Sequence, residues 1–167
     1  MIVIQKKMKK KLPYFIIGLL ALVTFNSCKK SGFVPFTDSR PAIAVTVTNA
    51  QDYRPDPTIY VSKAAGTITI QFAIPSSSGR TIKEITRVSL GTTQTAVQGT
   101  TGLYNTAPIA GNGTTSITFN TTLTAFTAGG GTVPAVNAEA AKRFYFLITL
   151  DDGTTIIPEP VRIVLIP

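Results

Sequence analysis

Apolar and polar positions alternate most cleanly between residues 67 and 74. Ile68, Ile70, Phe72 and Ile74 interleave with Thr67, Thr69, Gln71 and Ala73, the period-two signature of a strand with one buried face. Ile43, Val45 and Val47 alternate with Ala44, Thr46 and Thr48 in the same way. Further strands are expected at 58–63, at 81–90, at 116–123 with Ile117, Phe119 and Leu123 on one parity, and at 143–150 and 155–166. A bulge is expected in 81–90, where Ile82 and Ile85 fall out of phase with Val88 and Leu90. A short strand is expected near 95–98. Pro55, Pro57 and the run Pro75-Ser76-Ser77-Ser78-Gly79 break the ladders between them. Residues 99–115 and 127–134 read as long loops, the second holding Gly129-Gly130-Gly131. Residues 137–142 have a short helical pattern, with Asn137 as its cap and Glu139 in its first turn.

The last two strands flank Asp152-Gly153, which predicts a two-residue type I′ hairpin. In that register paired residue numbers sum to 305: Phe144 faces Val161 and Ile148 faces Ile157. Glu159 would then face Phe146, an unfavourable pair. Pro158-Glu159-Pro160 is therefore expected to mark a bulge or a switch of sheets.

The N-terminus follows another logic. Lys6, Lys7, Lys9, Lys10 and Lys11 form a basic head, and residues 12–25 an apolar run. That run is about 14 residues, short of the about 20 that a spanning helix needs, and the pattern is that of an export signal. Met8 opens an equally good leader. The stretch Val23-Thr24-Phe25-Asn26-Ser27-Cys28 resembles a lipobox, with small Ser27 before the cysteine and Phe25 in place of the strict leucine. Looser forms of this kind resemble those of Bacteroidota lipoproteins. Cys28 is the one cysteine of the chain and has no disulfide partner. Residues 1–27 are thus expected to be a cleaved signal peptide, Cys28 the lipidation site, and 28–41 a tether. Phe33, Val34 and Phe36 are unusually apolar for a linker.

About seven strands in residues 42–167 predict an all-β fold, a single immunoglobulin-like antiparallel two-sheet β-sandwich following the lipoprotein signal peptide. The closing hairpin resembles the last two strands of immunoglobulin-like and fibronectin type III-like modules, without the disulfide and core tryptophan of antibody domains. The resemblance is to a Bacteroidota-type lipoprotein carrying such a domain. It implies an outer-membrane setting, where such proteins accompany glycan-uptake systems. Surface-exposed lipoproteins of that group often carry acids just after the cysteine, so the resemblance, with Lys29 and Lys30 there instead, implies the periplasmic face over the cell surface.

Charge adds little. The formal +8 includes five leader lysines and no leader acid, so the chain after residue 27 carries eleven basic and eight acidic residues. These form no basic stripe, which argues against nucleic acid as a partner. Histidine is absent and no cysteine follows Cys28, which removes the usual Ser-His-Asp and Cys-His nucleophiles and any zinc site built from those ligands. No motif pairs the carboxylates Asp38, Asp52, Asp56, Glu84, Glu139, Asp151, Asp152 and Glu159 for glycosidase chemistry. Asp52 and Asp56 lack the glycine-centred spacing of a calcium loop. No cofactor, metal or catalytic residue is expected. Tryptophan is missing, so an aromatic sugar platform would fall to tyrosine: Tyr53 and Tyr104, both in expected loops, with Tyr60 on a strand. The expectation is a non-enzymatic, lipid-anchored envelope protein that serves as an accessory binding or scaffold module of a cell-envelope complex. The alternatives are direct glycan capture through Tyr53 and Tyr104, and, remotely, a carboxylate hydrolase.

Overall fold

A computed structural model describes residues 41–167; the leader, Cys28 and the tether through residue 40 lie outside the described residues. The described chain is all-β. In order it forms β1 (Thr46–Val47), β2 (Thr58–Ser62), β3 (Thr67–Ala73), β4 (Ile82–Gly91), a helical turn α1 (Thr95–Gln98), β5 (Ile109–Ala110), β6 (Ser116–Thr122), α2 (Leu123–Ala128), β7 (Arg143–Leu150), β8 (Thr155–Ile156) and β9 (Arg162–Ile166). These assemble into a three-stranded sheet β1-β3-β6, a four-stranded sheet β5-β4-β7-β8, and a pair β2-β9.

The alternation in β3 sets its pairing. Ile70 lies opposite Phe119 and Phe72 opposite Ile117, while Thr69 meets Asn120 and Gln71 meets Thr118. At these positions apolar pairs with apolar on the inner face and polar with polar on the outer, since a slip of one residue would invert both faces; Thr121, opposite Ile68 on the inner face, meets the Tyr104 hydroxyl. The inner face meets β7 through rings. Phe72 stands edge-on to Phe146 at 4.7 Å, and Phe119 reaches Phe146 at 5.3 Å and Phe144 at 5.6 Å. Phe126 of α2 adds a third side at 5.7 Å from Phe144. Gly131 is required here, because a Cβ would lie 2.4 Å from the Phe126 ring.

β7 shows no alternation because it is buried on both faces. Tyr145 is buried away from the main core, on a sheet against which α1 lies and buries Val97. β4 shows the expected irregularity, as two breaks in register, between Ile82 and Glu84 and between Ile85 and Arg87.

Several expectations are corrected. Residues 95–98 form a turn of helix rather than a strand, burying one side chain, Val97. Leu123 opens α2 instead of ending β6: the Thr122 hydroxyl accepts from the Ala125 N–H at 3.0 Å and caps the helix there. Residues 137–142 form no helix. Their backbone is taken up by β9, with Asn137 N–H donating to Leu165 O at 2.7 Å and Ala140 N–H to Ile163 O at 2.8 Å. Tertiary pairing overrides local helix propensity, and Asn137 adopts φ 63°. The strands are not all antiparallel, since β2 and β9 run parallel over five residues from Thr58↔Arg162 to Ser62↔Ile166.

The closing hairpin is also re-registered. Ile148 pairs with Ile156 and Thr149 with Thr155, one residue short of the expected register. Leu150 N–H donates to Thr154 O at 2.9 Å, so the loop has three residues, Asp151-Asp152-Gly153. Gly153 has φ 87°, and Asp152 is not among the positive-φ residues. A type I′ turn needs both. The geometry is the three-residue loop that ends in a left-handed glycine. Phe144 and Val161 nonetheless pair as expected. The extra residue is absorbed between Ile156 and Val161, where Pro158-Glu159-Pro160 breaks the strand and leaves Glu159 exposed.

Gly153→Ala is expected to lower unfolding free energy by about 1–2 kcal/mol through the left-handed backbone alone, since a Cβ there meets nothing within 4 Å. Asp152→Gly should bring no stabilisation, which a type I′ turn would have given. Urea midpoints of the two variants check both outcomes.

Candidate functional site

The loop between β1 and β2 carries Tyr53. Gln51 N–H donates to Thr58 O at 2.9 Å and Thr58 N–H to Asp52 O at 2.7 Å, closing the loop at its base. The Asp52 carboxylate accepts from the N–H groups of Tyr53 at 2.7 Å and Arg54 at 3.2 Å, a local turn role typical of aspartate. Tyr53 is half-exposed at 47% and its hydroxyl donates to the Val47 carbonyl, fixing the ring beside β1.

The ring borders a groove of about 380 Å³. Val45, Thr46 and Val47 form one wall, Ile156, Ile157 and Pro158 the other, and among the described residues Glu159 is the one charged side chain lining it. The groove therefore lies between an edge strand of each main sheet, β1 and β8.

Behind the loop stands an ionic cluster. Asp56 Oδ2 accepts from Arg143 Nη1 at 2.6 Å. Arg162 binds both oxygens of Glu139, with Nε to Oε1 at 2.7 Å, and its Nη1 donates to the Arg54 carbonyl at 3.0 Å. Arg143 Nε lies 3.8 Å from Glu139 Oε1. The bidentate bond from Arg162 holds the Glu139 carboxyl below its ordinary pKa of 4.5, against a desolvation effect of opposite sign. Two arginines on β7 and β9 thus clamp the loop that presents Tyr53.

Tyr104 is placed differently. Its ring packs edge-on to Phe144 at 5.3 Å and to Phe119 at 6.1 Å, and its hydroxyl shares a hydrogen bond with Thr121 Oγ1 at 2.6 Å. Burial raises its hydroxyl pKa, and the Thr121 bond opposes that rise. A Cβ on Gly129 would come within 2.6 Å of the ring, so the glycine after α2 makes room for it. Tyr104 lines a second depression of about 410 Å³ with Leu90, Leu103, Ala125 and Gly129. The two tyrosines border different depressions that share no lining residue. They do not form one platform. Tyr60, by contrast, is 44% exposed on β2.

Three further carboxylates serve local structure. Asp151 and Asp152 hold Arg80 at 3.0 and 2.8 Å, and Glu84 accepts from Thr86 Oγ1 at 3.2 Å. Neither depression is lined by two carboxylates. No group of three side chains able to hold a metal ion occurs among the described residues. No helix among them is long and apolar enough to cross a membrane. Cys28 lies outside the described residues.

Sequence reading missed the Arg143–Glu139–Arg162 cluster. Its signs were an arginine at the start of each of two largely apolar strands and the four-residue spacing of Glu139 and Arg143. Comparison with protein-family models, curated proteins and solved structures finds no match to this chain.

Two outcomes follow. Tyr104→Ala should cost about 2–4 kcal/mol of stability, as for a core aromatic, and Tyr53→Ala no more than about 1 kcal/mol; thermal melts separate them. Glu139→Gln should cost about 1–2 kcal/mol at pH 7 by removing a charge-assisted pair. Because the folded pKa of Glu139 is depressed, its contribution is present above pH 4.5 and lost as pH falls through the folded value. The gap between wild type and variant in urea titrations should therefore narrow below pH 4.5.

Proposed function

We propose that this chain is a lipid-anchored, non-catalytic binding or scaffold module of the cell envelope, set on the periplasmic face of the outer membrane. Its domain is an immunoglobulin-like two-sheet sandwich. The observation that carries the anchor is Cys28, the lone cysteine, standing after a basic head and an apolar run too short to span. Two or more acyl chains on such a cysteine hold a protein firmly at a bilayer.

Strand order supports the sandwich. Taken in sequence, β1, β3 and β6 fall in one sheet and β4, β7 and β8 in the other, as the A, B, E and C, F, G strands of immunoglobulin folds divide. The function then resides in exposed loops and edges rather than in the packed interior. The clamped Tyr53 loop beside the groove is the part best suited to contact a partner.

The reading is tested on protein recovered from a native-type membrane fraction. Intact mass should place the mature N-terminus at Cys28 with a diacylglyceryl adduct. Cys28→Ala should accumulate as precursor or leave the membrane fraction. A wild-type chain processed elsewhere, or carrying no lipid, overturns the anchor. A pull-down from detergent-solubilised outer membrane should yield a stoichiometric envelope partner that Tyr53→Ala weakens.

A further inference from the structure

The outward face of β1-β3-β6 has an unusual composition. No Lys, Arg, Asp or Glu occurs in any of the three strands, whereas β4 carries Lys83, Glu84 and Arg87. Long charged side chains are the ordinary covering of a solvent-facing sheet and the ordinary guard of its edges. Here Thr67, Thr69 and Gln71 stand in register with Thr122, Asn120 and Thr118. Neighbouring groups of this kind are about 5 Å apart across the strands and about 7 Å apart along them. One side-chain bond ties the array internally, from Thr69 Oγ1 to Asn120 Oδ1 at 2.9 Å. The side chains of Gln71, Thr118 and Thr122 are not engaged with one another, although Thr122 caps α2.

This face is continuous with the Tyr53 groove. Thr46 is exposed on β1 and also lines the groove beside the Tyr53 ring. A half-exposed aromatic ring therefore borders an array of hydroxyl and amide groups that carries no charge, with Glu159 on the same groove as the ring. That pairing matches one ligand chemistry: an aromatic ring packs on the C–H face of a sugar, and neutral donors and acceptors exchange hydrogen bonds with its hydroxyls. An anionic ligand would call for Arg or Lys, which the three strands lack; the exposed Arg54 next to Tyr53 is 3.7 Å from the Asp52 carboxylate.

We infer that the outer face of β1-β3-β6, with Tyr53 at its border, is a contact surface for a neutral polysaccharide. This rests on the binding-module reading above and is independent of the lipid anchor. The test uses the purified full chain in native gels cast with starch, xylan, mannan or a mixed β-glucan, and with polygalacturonate as the acidic counterpart. Migration should be retarded by at least one neutral polymer and not by polygalacturonate. Thr118→Glu, at an exposed position, should weaken that retardation about tenfold, because the contact would bury an unpaired carboxylate. Tyr53→Ala should weaken it comparably, with circular dichroism and melting temperature showing that both variants fold. Thr67→Glu serves if Thr118→Glu does not fold. Migration unchanged in every neutral polymer overturns the inference, as does retardation by polygalacturonate alone or equal retardation of the charged variants. Capture of an envelope protein that Thr118→Glu abolishes, without polysaccharide binding, would assign the face to a protein and overturn it too. Failure of the anchor shows instead in the mass of Cys28, which this measurement does not involve.

Discussion

Phe144 and Phe146 on β7 are the rings on which both sheets close. Phe72 and Phe119 reach them from the opposite sheet, Phe126 from α2, and Tyr104 from the loop before β5. Burying a ring of this size is worth about 1.5–3 kcal/mol, and edge-to-face pairs add about 0.5–1.5 kcal/mol each. The same residue fixes more than the core. Phe144 exchanges two backbone hydrogen bonds with Val161, at 3.0 and 2.9 Å. Arg162, the next residue, starts β9 and its parallel pairing with β2, and its guanidinium grips Glu139 and the Arg54 carbonyl. The position of the Tyr53 loop is thus set from the core outward, through two consecutive residues.

What could be read in the sequence follows from where burial is one-sided. β3 and β6 bury one face and expose the other, so the period of two shows their extent and pairing directly. β7 is buried on both faces and shows only as an apolar run. The break at Pro158-Glu159-Pro160 was legible because a carboxylate opposite Phe146 is unfavourable whatever the turn. The turn itself was not, since Asp-Gly serves both hairpin geometries and only the sign of φ at Asp152 separates them. The parallel pairing of β2 with β9 joins segments about a hundred residues apart, and nothing local encodes it. Residues 137–142 illustrate the converse, a locally helical stretch whose N–H groups find better partners on β9.

The site was legible only in part, for the same reason. Tyr53 and Tyr104 look alike in sequence, each an aromatic among loop residues. Gly129, 25 residues after Tyr104, leaves the space that draws that ring against Phe119 and Phe144. Tyr53 has no such recess, and its hydroxyl is spent on the Val47 carbonyl. The arginine clamp is drawn from Asp56, Glu139, Arg143 and Arg162; Glu139 and Arg143 are four residues apart, and the other pairs meet only through tertiary structure.

Charge is divided unevenly among the sheets. On β7 and β9 the arginines have structural work, each paired with a carboxylate that positions a loop. The β1-β3-β6 sheet does without charge altogether. High β-propensity explains its threonines. It does not explain the amides, which strands disfavour or do not select. Asn49 has a local reason: its side chain donates to Thr69 O and accepts from the Gln71 N–H, both at 2.9 Å, and so extends the β1 ladder where the backbone leaves it. Asn120 orients Thr69. Among the described residues Gln71 has no comparable side-chain role in the fold, and Thr118, exposed opposite it, has none either. An uncharged pair able to donate and accept hydrogen bonds on an exposed sheet suits the proposed contact with a neutral, hydroxyl-rich ligand, because a charge left unpaired beneath such a ligand would oppose its binding.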